Sequence, residues 1–302
     1  MRLASLLAGL LVAPILWQAP TPAPSLADVL ARAAAAVERY AQEAAVILAD
    51  EQADQSGYAS GVEQSAGGLS LRGAATVDAT SRTGRRRWKA ELALVRTEAF
   101  AKAGTPWLEV RDVVEVDGRR LADREKRLEK LLLGAGDWSM ARARELLAES
   151  ARFNIGPVSR NVNTPAVSLL VLHAVNQARF TFARDGEEKV DGVSAWRIGY
   201  EERSRPTLIK SADGSEASAS GTFWIDPATG DVLRSHLRCG GQADWTNEMT
   251  VTFRPVTGFN VRLPVTMTER TEASGGVNWV EAKYRYGNFR RFETGARLIT
   301  PK

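Results

Sequence analysis

The stretch Gly221–Arg238, GTFWIDPATGDVLRSHLR, is the clearest local signal in the chain. Apolar and polar side chains alternate on both sides of its centre, which is the pattern of two half-buried β-strands. Between them, Asp226–Gly230 contains a proline that presets φ, an aspartate that can accept from nearby amides, and a glycine suited to positive φ. The sequence therefore predicts a β-hairpin, with Leu233 and Leu237 on one face of the returning strand.

All the predicted helices lie before this hairpin, whereas the region after it is predicted to be mainly strand. Apolar residues at helical spacing predict a helix over 28–45, with Ser25 as its N-cap. Further helices are predicted over 121–133, 139–153 and 166–174, and polar loops over 54–68 and 211–220. Residues 69–79 could form an additional strand.

Alternating apolar runs predict most of the remaining chain to be β-structure. The predicted strands include 86–97, 107–116, 178–183, 194–202, 249–254, 263–269 and 277–289. Because helices and strands are grouped rather than arranged as repeating β-α units, the pattern indicates an α+β fold with an antiparallel sheet.

Residues 1–27 are predicted to be an export signal. Arg2 forms a short basic region, Leu3–Trp17 is uncharged and apolar, and Ser25–Ala27 is a suitable cleavage site. A membrane anchor is the alternative, but the apolar stretch is shorter than the roughly 20 residues needed to span a bilayer. Residues 28–302 contain no linker and are predicted to form one periplasmic domain with a helical insertion around 121–174.

Charge and cysteine content narrow the class of protein. The chain has 40 lysines and arginines against 36 acidic residues, so nucleic acid is not an expected partner. Cys239 is the only cysteine, and stability must therefore come from a hydrophobic core rather than an internal disulfide. The basic clusters Arg85–Arg87 and Arg290-Arg291 are predicted to be solvated; the alternative is contact with anionic lipid head groups at a membrane surface.

No motif for a chemical reaction stands out. The only histidines, His173 and His236, have no second ligand at metal spacing, so no metal or other cofactor is expected. Neither a nucleophile elbow nor a phosphate-binding loop occurs. Glu201 and Glu202 face opposite ways in a strand, and two aspartates flank the hairpin turn. The protein is therefore predicted not to be an enzyme; a hydrolase that uses one of the histidines is the remaining catalytic alternative.

Many predicted strands carry an unbroken apolar face. That face must be covered, and the helices could cover it either as a packed core or as a lid over a cavity. The side chains predicted to line such a cavity, as a ligand site, are Leu92, Leu94, Val110, Phe180, Phe182, Ile198, Ile225, Val251, Phe253, Val265 and Met267.

Three segments resemble the back half of LolA-like proteins, the periplasmic lipoprotein carriers: GTFWIDPATGDVLR, EMTVTFRPVTGFNVRLPVTMTE and VEAKYRYGNFRRFE. Leu263-Pro264 and Tyr286–Arg290 carry the resemblance, which covers 178–294. It implies a strongly curved antiparallel sheet, a half-open β-barrel, with helices covering the concave face and an apolar ligand between them. Lipid or an acylated protein is the implied partner. The helical middle of this chain departs from the carriers.

Two functions follow as hypotheses. The first is an exported, non-catalytic binding protein for lipid or another long apolar ligand, because burying each CH₂ group supplies about 0.8 kcal/mol without polar contacts. The second is an envelope scaffold or partner-binding module whose concave face is filled by its own helices. A continuous apolar cavity would favour the first hypothesis, and a packed interior would favour the second.

Overall fold

The computed structural model describes residues 23–45, 47–59, 82–96, 105–124, 127–128, 130, 140–156, 160, 163–210, 216–241, 245–273, 275–293 and 297–299. Its helices are α1 (Leu26–Ala44), α2 (Met140–Ala151), a 3₁₀ helix (Ser168–Val171) and α3 (Ala174–Gln177). Its strands are β1 (Ile47–Ala59), β2 (Arg82–Val95), β3 (Leu108–Val116), β4 (Arg119–Arg120), β5 (Phe180–Val190), β6 (Val193–Glu202), β7 (Ile209–Lys210), β8 (Glu216–Ile225), β9 (Val232–Gly241), β10 (Trp245–Pro255), β11 (Arg262–Ala273), β12 (Asn278–Glu293) and β13 (Arg297–Ile299). Among these residues, no helix combines the length and hydrophobicity needed to cross a membrane.

The strands form one antiparallel sheet in the order β4-β3-β2-β1-β12-β11-β10-β9-β8-β6-β5, with β13 beside β12 and β7 beside β8. The first strand pairs with β12 near the end of the chain, so the two halves share one sheet. The ends of the order, β4 and β5, do not pair with each other in the described part, and the barrel stays open. The predicted α+β class, a curved antiparallel sheet with helices, is confirmed.

The hairpin predicted from Gly221–Arg238 is formed by β8 and β9. The backbone amide of Asp226 donates to the carbonyl of Asp231 at 3.0 Å, and its Oδ1 accepts from the amide of Ala228 at 2.9 Å. Gly230 takes a φ of +80°. The two flanking aspartates therefore shape the turn.

One detail predicted for this hairpin was wrong, because Leu233 and Leu237 do not share a face. A β-bulge between Trp224 and Ile225 shifts the register of the two strands. Leu233 consequently packs into a small cluster with Val190, whereas Leu237 joins the main core.

Helix α1 covers part of the concave face, the face that carries the main core. Ser25 is its N-cap, as predicted, and forms a capping box with Asp28. The helix begins at Leu26, two residues before the predicted start of the mature domain; residues 1–22 of the predicted export signal lie outside the described part. Its buried face is made mostly of small side chains: Val29, Ala33, Ala36, Val37, Tyr40, Ala41 and Ala44.

Helix α2 lies against β3, which is next to the short edge strand β4, and a cluster of ion pairs holds it there. Arg124 and Arg127 each bind both Asp112 of β3 and Glu149 of α2. Burial raises the pKa of Asp112 to about 6, although Arg127 acts in the opposite direction. These ion pairs tie the middle segment of the chain, residues 121–174, to β3 before the chain turns toward the concave face.

Several predicted boundaries were wrong. Strand β1 runs to Ala59 and β8 begins at Glu216, so parts of both predicted polar loops are strand. In the first half of β8 the buried positions are Ala217 and Ala219, and serines alternate with them, so the strand pattern is hidden in a polar composition. In place of the predicted helix 166–174, a 3₁₀ helix of four residues, Ser168–Val171, is flanked by turns. Residues 60–68, 69–79 and 211–215 lie outside the described part, and so do 125, 126, 129 and 131–133 of the predicted helix 121–133.

Candidate ligand site on the concave face

Eight of the predicted cavity residues lie together in the main hydrophobic core. They come from both halves of the sheet and are Leu92, Leu94, Phe180, Ile198, Ile225, Val251, Phe253 and Met267. Phe182 is partly buried and packs against this core. Its neighbours Phe180 and Tyr200 continue into an aromatic stack with Phe223, whose ring lies 4.7 Å from that of Tyr200. The concave face therefore carries one continuous apolar wall.

The other two predicted cavity residues are not part of the main core. Val110 is fully buried but lies opposite Ala93, on the other face of the sheet, because its neighbours Glu109 and Arg111 face inward. Val265 is the extra residue of a β-bulge, since Thr252 pairs with Thr266 and the next pair is Phe253 with Pro264. The bulges displace both residues from the phase that an ideal strand would give.

The described part of this wall is covered closely by α1 and the 3₁₀ helix. The cleft between α1 and the sheet has a volume of about 30 Å³, which is room for about one water molecule. It is lined by Ala36, Val37, Tyr40, Leu169, Asp231, Val232, Phe253, Val261 and Arg262. No acyl chain fits in a space of this size, so a long ligand would have to displace part of the cover.

The polar contacts that hold α1 lie around its rim. Arg32 donates to the carbonyl of Pro227 at 2.6 Å, and Gln177 donates to the carbonyl of Leu30 at 3.0 Å. Farther along, Glu38 pairs with His173 at 3.1 Å and with Arg96 at 2.9 Å. Near the end of the helix, Glu43 accepts from the amide of Asn260 at 3.0 Å and pairs with Arg291.

One end of the concave face is polar and charged. Arg111 of β3 pairs with Glu51 of β1, and the distance from Nε to Oε1 is 2.6 Å. Both side chains are almost completely buried, and the guanidinium also lies 4.8 Å from the ring of Trp88. Burial alone would lower the pKa of Arg111, but the Glu51 carboxylate raises it. Burial also raises the pKa of Glu51, although Arg111 acts in the opposite direction.

The middle segment inserts a second arginine into this polar end. Arg160 pairs with Glu269 of β11 at 2.7 Å and donates to Gln55 of β1 at 3.1 Å. Asn163 contacts both ion pairs, since its Oδ1 accepts from Arg111 at 3.2 Å and its Nδ2 donates to Glu269 at 3.3 Å. The same Nδ2 also donates to Tyr284 at 3.0 Å. These contacts fasten the segment across β1, β11 and β12.

The pKa values of two carboxylates on the concave face, those of Glu269 and Glu109, are shifted in opposite directions. Burial acts to raise the pKa of Glu269, but Arg160 and hydrogen bonds from Tyr284 and Asn247 hold it below the usual value. Among the described residues Glu109 forms no ion pair, although Arg111 lowers its pKa electrostatically, and it accepts from the amide of Ala166 at 2.7 Å. Burial raises the pKa of Glu109 to about 7.

These inward charges were missed at the sequence level. In Leu108–Val116 the valines suggest an inward phase that includes Val110, whereas Glu109 and Arg111 occupy the inward positions. A β-bulge between Lys89 and Ala90 changes the phase along the strand. The charged residues could have been recognised only by knowing that Arg160 and Asn163 fold onto the same face.

The histidines and paired carboxylates take structural positions. His173 contacts Glu38 through Nε2 and caps α3 through Nδ1. His236 lies on the solvent side of β9, 4.0 Å from Glu248. Glu201 pairs with Arg203 at the surface, whereas buried Glu202 accepts from two backbone amides. Across the described residues, no group of three or more potential ligands could hold a metal ion.

No protein-family model and no curated protein matches the chain. Among solved structures, a DUF1329 family protein from Desulfovibrio piger is 14% identical with a TM-score of 0.33, over 89% of this chain and 95% of that chain. A LolA superfamily protein from Nitrosomonas europaea is 8% identical with a TM-score of 0.35, over 86% and 94%. A domain from Vibrio parahaemolyticus described as an outer membrane lipoprotein-sorting protein is 12% identical with a TM-score of 0.32, over 89% and 93%. The chain thus has a distant likeness to each of these proteins.

Proposed function

We propose that this protein is an exported, non-catalytic binding protein that holds lipid or another long apolar chain between α1 and the concave face of its sheet. The observation that carries the proposal is the continuous apolar wall on that face, which includes Ile198, Ile225 and Phe253. It lies under a helix whose buried face is mostly alanine and valine. Export to the periplasm is part of the proposal and rests on the N-terminal sequence pattern.

Small side chains make α1 the part of the cover that a ligand displaces most easily. Alanine offers little apolar area to lose, and each buried CH₂ group of an incoming chain supplies about 0.8 kcal/mol. The rim contacts of Arg32, Glu38 and Glu43 are at least partly exposed, where ion pairs contribute about 1 kcal/mol or less each. A long chain could therefore offset the loss of the α1 contacts. Binding of the ligand would therefore be coupled to displacement of α1 from the sheet.

A second candidate function is favoured by the size of the cleft. A cleft of about 30 Å³ has no room for a long apolar chain, and a scaffold or partner-binding module needs no such room. The two functions differ in whether the wall below α1 ever becomes accessible to an apolar probe.

Two measurements test the first function. The protein is purified from the periplasm and analysed by native mass spectrometry before and after organic extraction. It is also titrated with dansyl-undecanoic acid, whose fluorescence reports entry into an apolar site. We expect a co-purifying lipid or saturable probe binding. Absence of both would contradict the apolar-ligand function and leave the scaffold function.

Matched variants locate the site. Ala36→Trp places bulk in the cleft, while Ala35→Trp puts the same side chain on the exposed face of the same helix. We expect Ala36→Trp to weaken probe binding at least about tenfold, which corresponds to 1.4 kcal/mol, with Ala35→Trp near wild type. Val261→Gln, at the partly buried margin of the cleft, serves as a second test if Ala36→Trp does not fold. Equal binding by all variants would place the ligand elsewhere.

A further inference from the structure

A basic patch lies on the convex face of the sheet, opposite the candidate ligand site. We define it by five side chains: Arg85, Arg87 and Lys89 of β2, and Lys283 and Arg285 of β12. All five are exposed. The cluster Arg85–Arg87 was visible in the sequence, but its extension by β12 depends on strand order.

Strand pairing brings the two groups of cations together across β1. Asp54 of β1 lies opposite both Arg87 and Lys283, and Gln52 lies opposite both Lys89 and Arg285. Neighbouring strands are about 4.8 Å apart, so the cations on β2 and β12 are separated by about 10 Å across the patch. Along each strand the alternate positions are about 7 Å apart.

Carboxylates only partly neutralise this patch. Asp54 pairs with Arg85 at 2.8 Å, Lys89 pairs with Glu115 at 3.0 Å, and Glu281 pairs with Arg270. Arg87, Lys283 and Arg285 form no ion pair with another residue in the described part of the chain. Arg87 on β2 and Lys283 and Arg285 on β12 therefore remain available for an external anion, although Asp54 on the strand between them attracts Arg87 and Arg285.

The same convex face carries aromatic and apolar groups at the β11–β12 end. Tyr58 and Trp279 lie opposite each other on β1 and β12, and both are partly exposed. Val277, in the adjoining turn, is 54% exposed and is one of only two large apolar side chains of the described residues with such exposure. Rings with a polar edge beside cations are typical of surfaces that lie at the lipid–water interface.

The second basic cluster of the sequence behaves differently. Arg290 pairs with Asp50 at 2.6 Å and with Glu91 at 3.2 Å, and Arg291 pairs with Glu43. Because both arginines form ion pairs within the protein, they offer little free charge to a partner. Of the two clusters, only the one on β2 contributes to an open basic surface.

We propose that the basic patch docks the protein on the surface of an anionic phospholipid bilayer, with Val277 and Trp279 at the interface. A broad face of three adjacent strands can lie along a planar charged surface, and its cations are spread in two directions rather than along a line. A soluble acidic polymer would use the cations but gain nothing from the neighbouring Tyr58, Trp279 and Val277. The docking surface is separate from the concave site and does not depend on the proposed ligand.

The test is co-sedimentation of the full chain with sucrose-loaded vesicles. Vesicles of phosphatidylcholine alone are compared with vesicles containing one part phosphatidylglycerol to three parts phosphatidylcholine, at 0.1 M and 1 M NaCl. We expect binding only to the anionic vesicles and its loss at 1 M salt, because the screening length falls from about 10 Å to about 3 Å. Equal binding to both vesicle types, or no binding to either, would overturn the proposal.

Charge-matched variants separate the patch from net charge. Lys283→Gln/Arg285→Gln removes two cations of the patch, and Lys189→Gln/Arg197→Gln removes two exposed cations on β5 and β6. Each cation near an anionic surface contributes roughly fivefold to partitioning, so the patch variant is expected to bind about twentyfold more weakly. The control variant is expected to bind within about threefold of wild type. Equal losses in the two variants would show a net-charge effect and overturn the proposal.

A third variant distinguishes a bilayer from a soluble polyanion. Val277→Ser changes an exposed turn residue and leaves every cation in place. We expect it to weaken vesicle binding while its retention on a heparin column stays unchanged. If heparin retention depends on Lys283 and Arg285 but Val277→Ser binds vesicles like wild type, the patch recognises soluble polyanions and the bilayer proposal fails.

Discussion

Arg111 on β3 reaches across β2 to Glu51 on β1, and the two side chains meet at 2.6 Å inside the covered concave face. A second pair, Arg160 with Glu269, lies at the same polar end, and Asn163 contacts both. A fold built around an apolar wall thus closes one end with buried charge. This arrangement makes the position of the middle segment specific, because each buried ion needs its partner.

Removing one member of the Arg111–Glu51 pair should be strongly destabilising. Glu51→Gln leaves the buried charge of Arg111 without its counter-ion, and Arg111→Met leaves Glu51 without its cation. Such losses reach about 3–5 kcal/mol. Urea unfolding followed by tryptophan fluorescence measures the change in the free energy of unfolding. The double variant Glu51→Leu/Arg111→Met should lose less than the sum of the single changes. Strict additivity would show that the two side chains do not act as a pair.

The turn of the central hairpin should require glycine at position 230. Gly230 has a φ of +80°, and a Cβ there would lie 2.6 Å from the amide nitrogen of Ala33 and overlap the carbonyl of Arg32. Gly230→Ala should therefore cost more than the about 1–2 kcal/mol of a left-handed residue. Gly192→Ala is the control, because Gly192 has a φ of +83° with open space around it. Equal losses in urea unfolding would mean that the contact with α1 adds nothing.

The hairpin could be predicted because its information is local. Alternation and turn residues within Gly221–Arg238 determine two paired strands wherever they are placed. The position of Leu233 could not be read in the same way, because it depends on a bulge opposite Trp224. A single extra residue reverses the face of all that follows until the register recovers.

The candidate site was only half visible in the sequence for a related reason. Residues of the apolar wall such as Ile198 and Phe253 can be predicted from their hydrophobicity, and they lie in the main core. Inward charges such as Glu109 and Arg111 look like solvent-facing residues until their partners are known. Arg111 meets Glu51 and Asn163, and Glu109 meets the amide of Ala166. These partners lie 52 to 60 positions away in the chain, and no local pattern links them.

Stability should fall with rising pH through the titration of Glu109. Its pKa is raised from 4.5 to about 7 in the folded protein by burial. Between these values the unfolded chain releases the proton and the folded protein keeps it, so the free energy of unfolding falls by about 3 kcal/mol as pH rises from 4.5 to 7. Glu109→Gln should flatten this dependence, measured by urea unfolding from pH 5 to pH 8.

The control for this pH effect is Glu187→Gln, which removes an exposed carboxylate from β5 and is compared with Glu109→Gln over the same pH range. Asp112, whose pKa is raised to about 6, should supply a remaining slope in the same direction. A wild-type stability that rises between pH 5 and pH 8 would contradict the position of Glu109 as a buried acid.

The contacts of Arg160 should keep residues 163–177, which include the 3₁₀ helix, attached to the sheet. Arg160→Met removes the cation from Glu269 and the contact with Gln55, leaving a buried carboxylate without its charge partner, a change worth about 3–5 kcal/mol. We expect amide hydrogen exchange over 163–177 to accelerate at least tenfold, while β8 and β9 exchange as in wild type. Arg152→Met removes an exposed arginine from the same segment and should change neither. Uniform acceleration across the whole chain would mean that Arg160 supports global stability rather than the attachment of this segment.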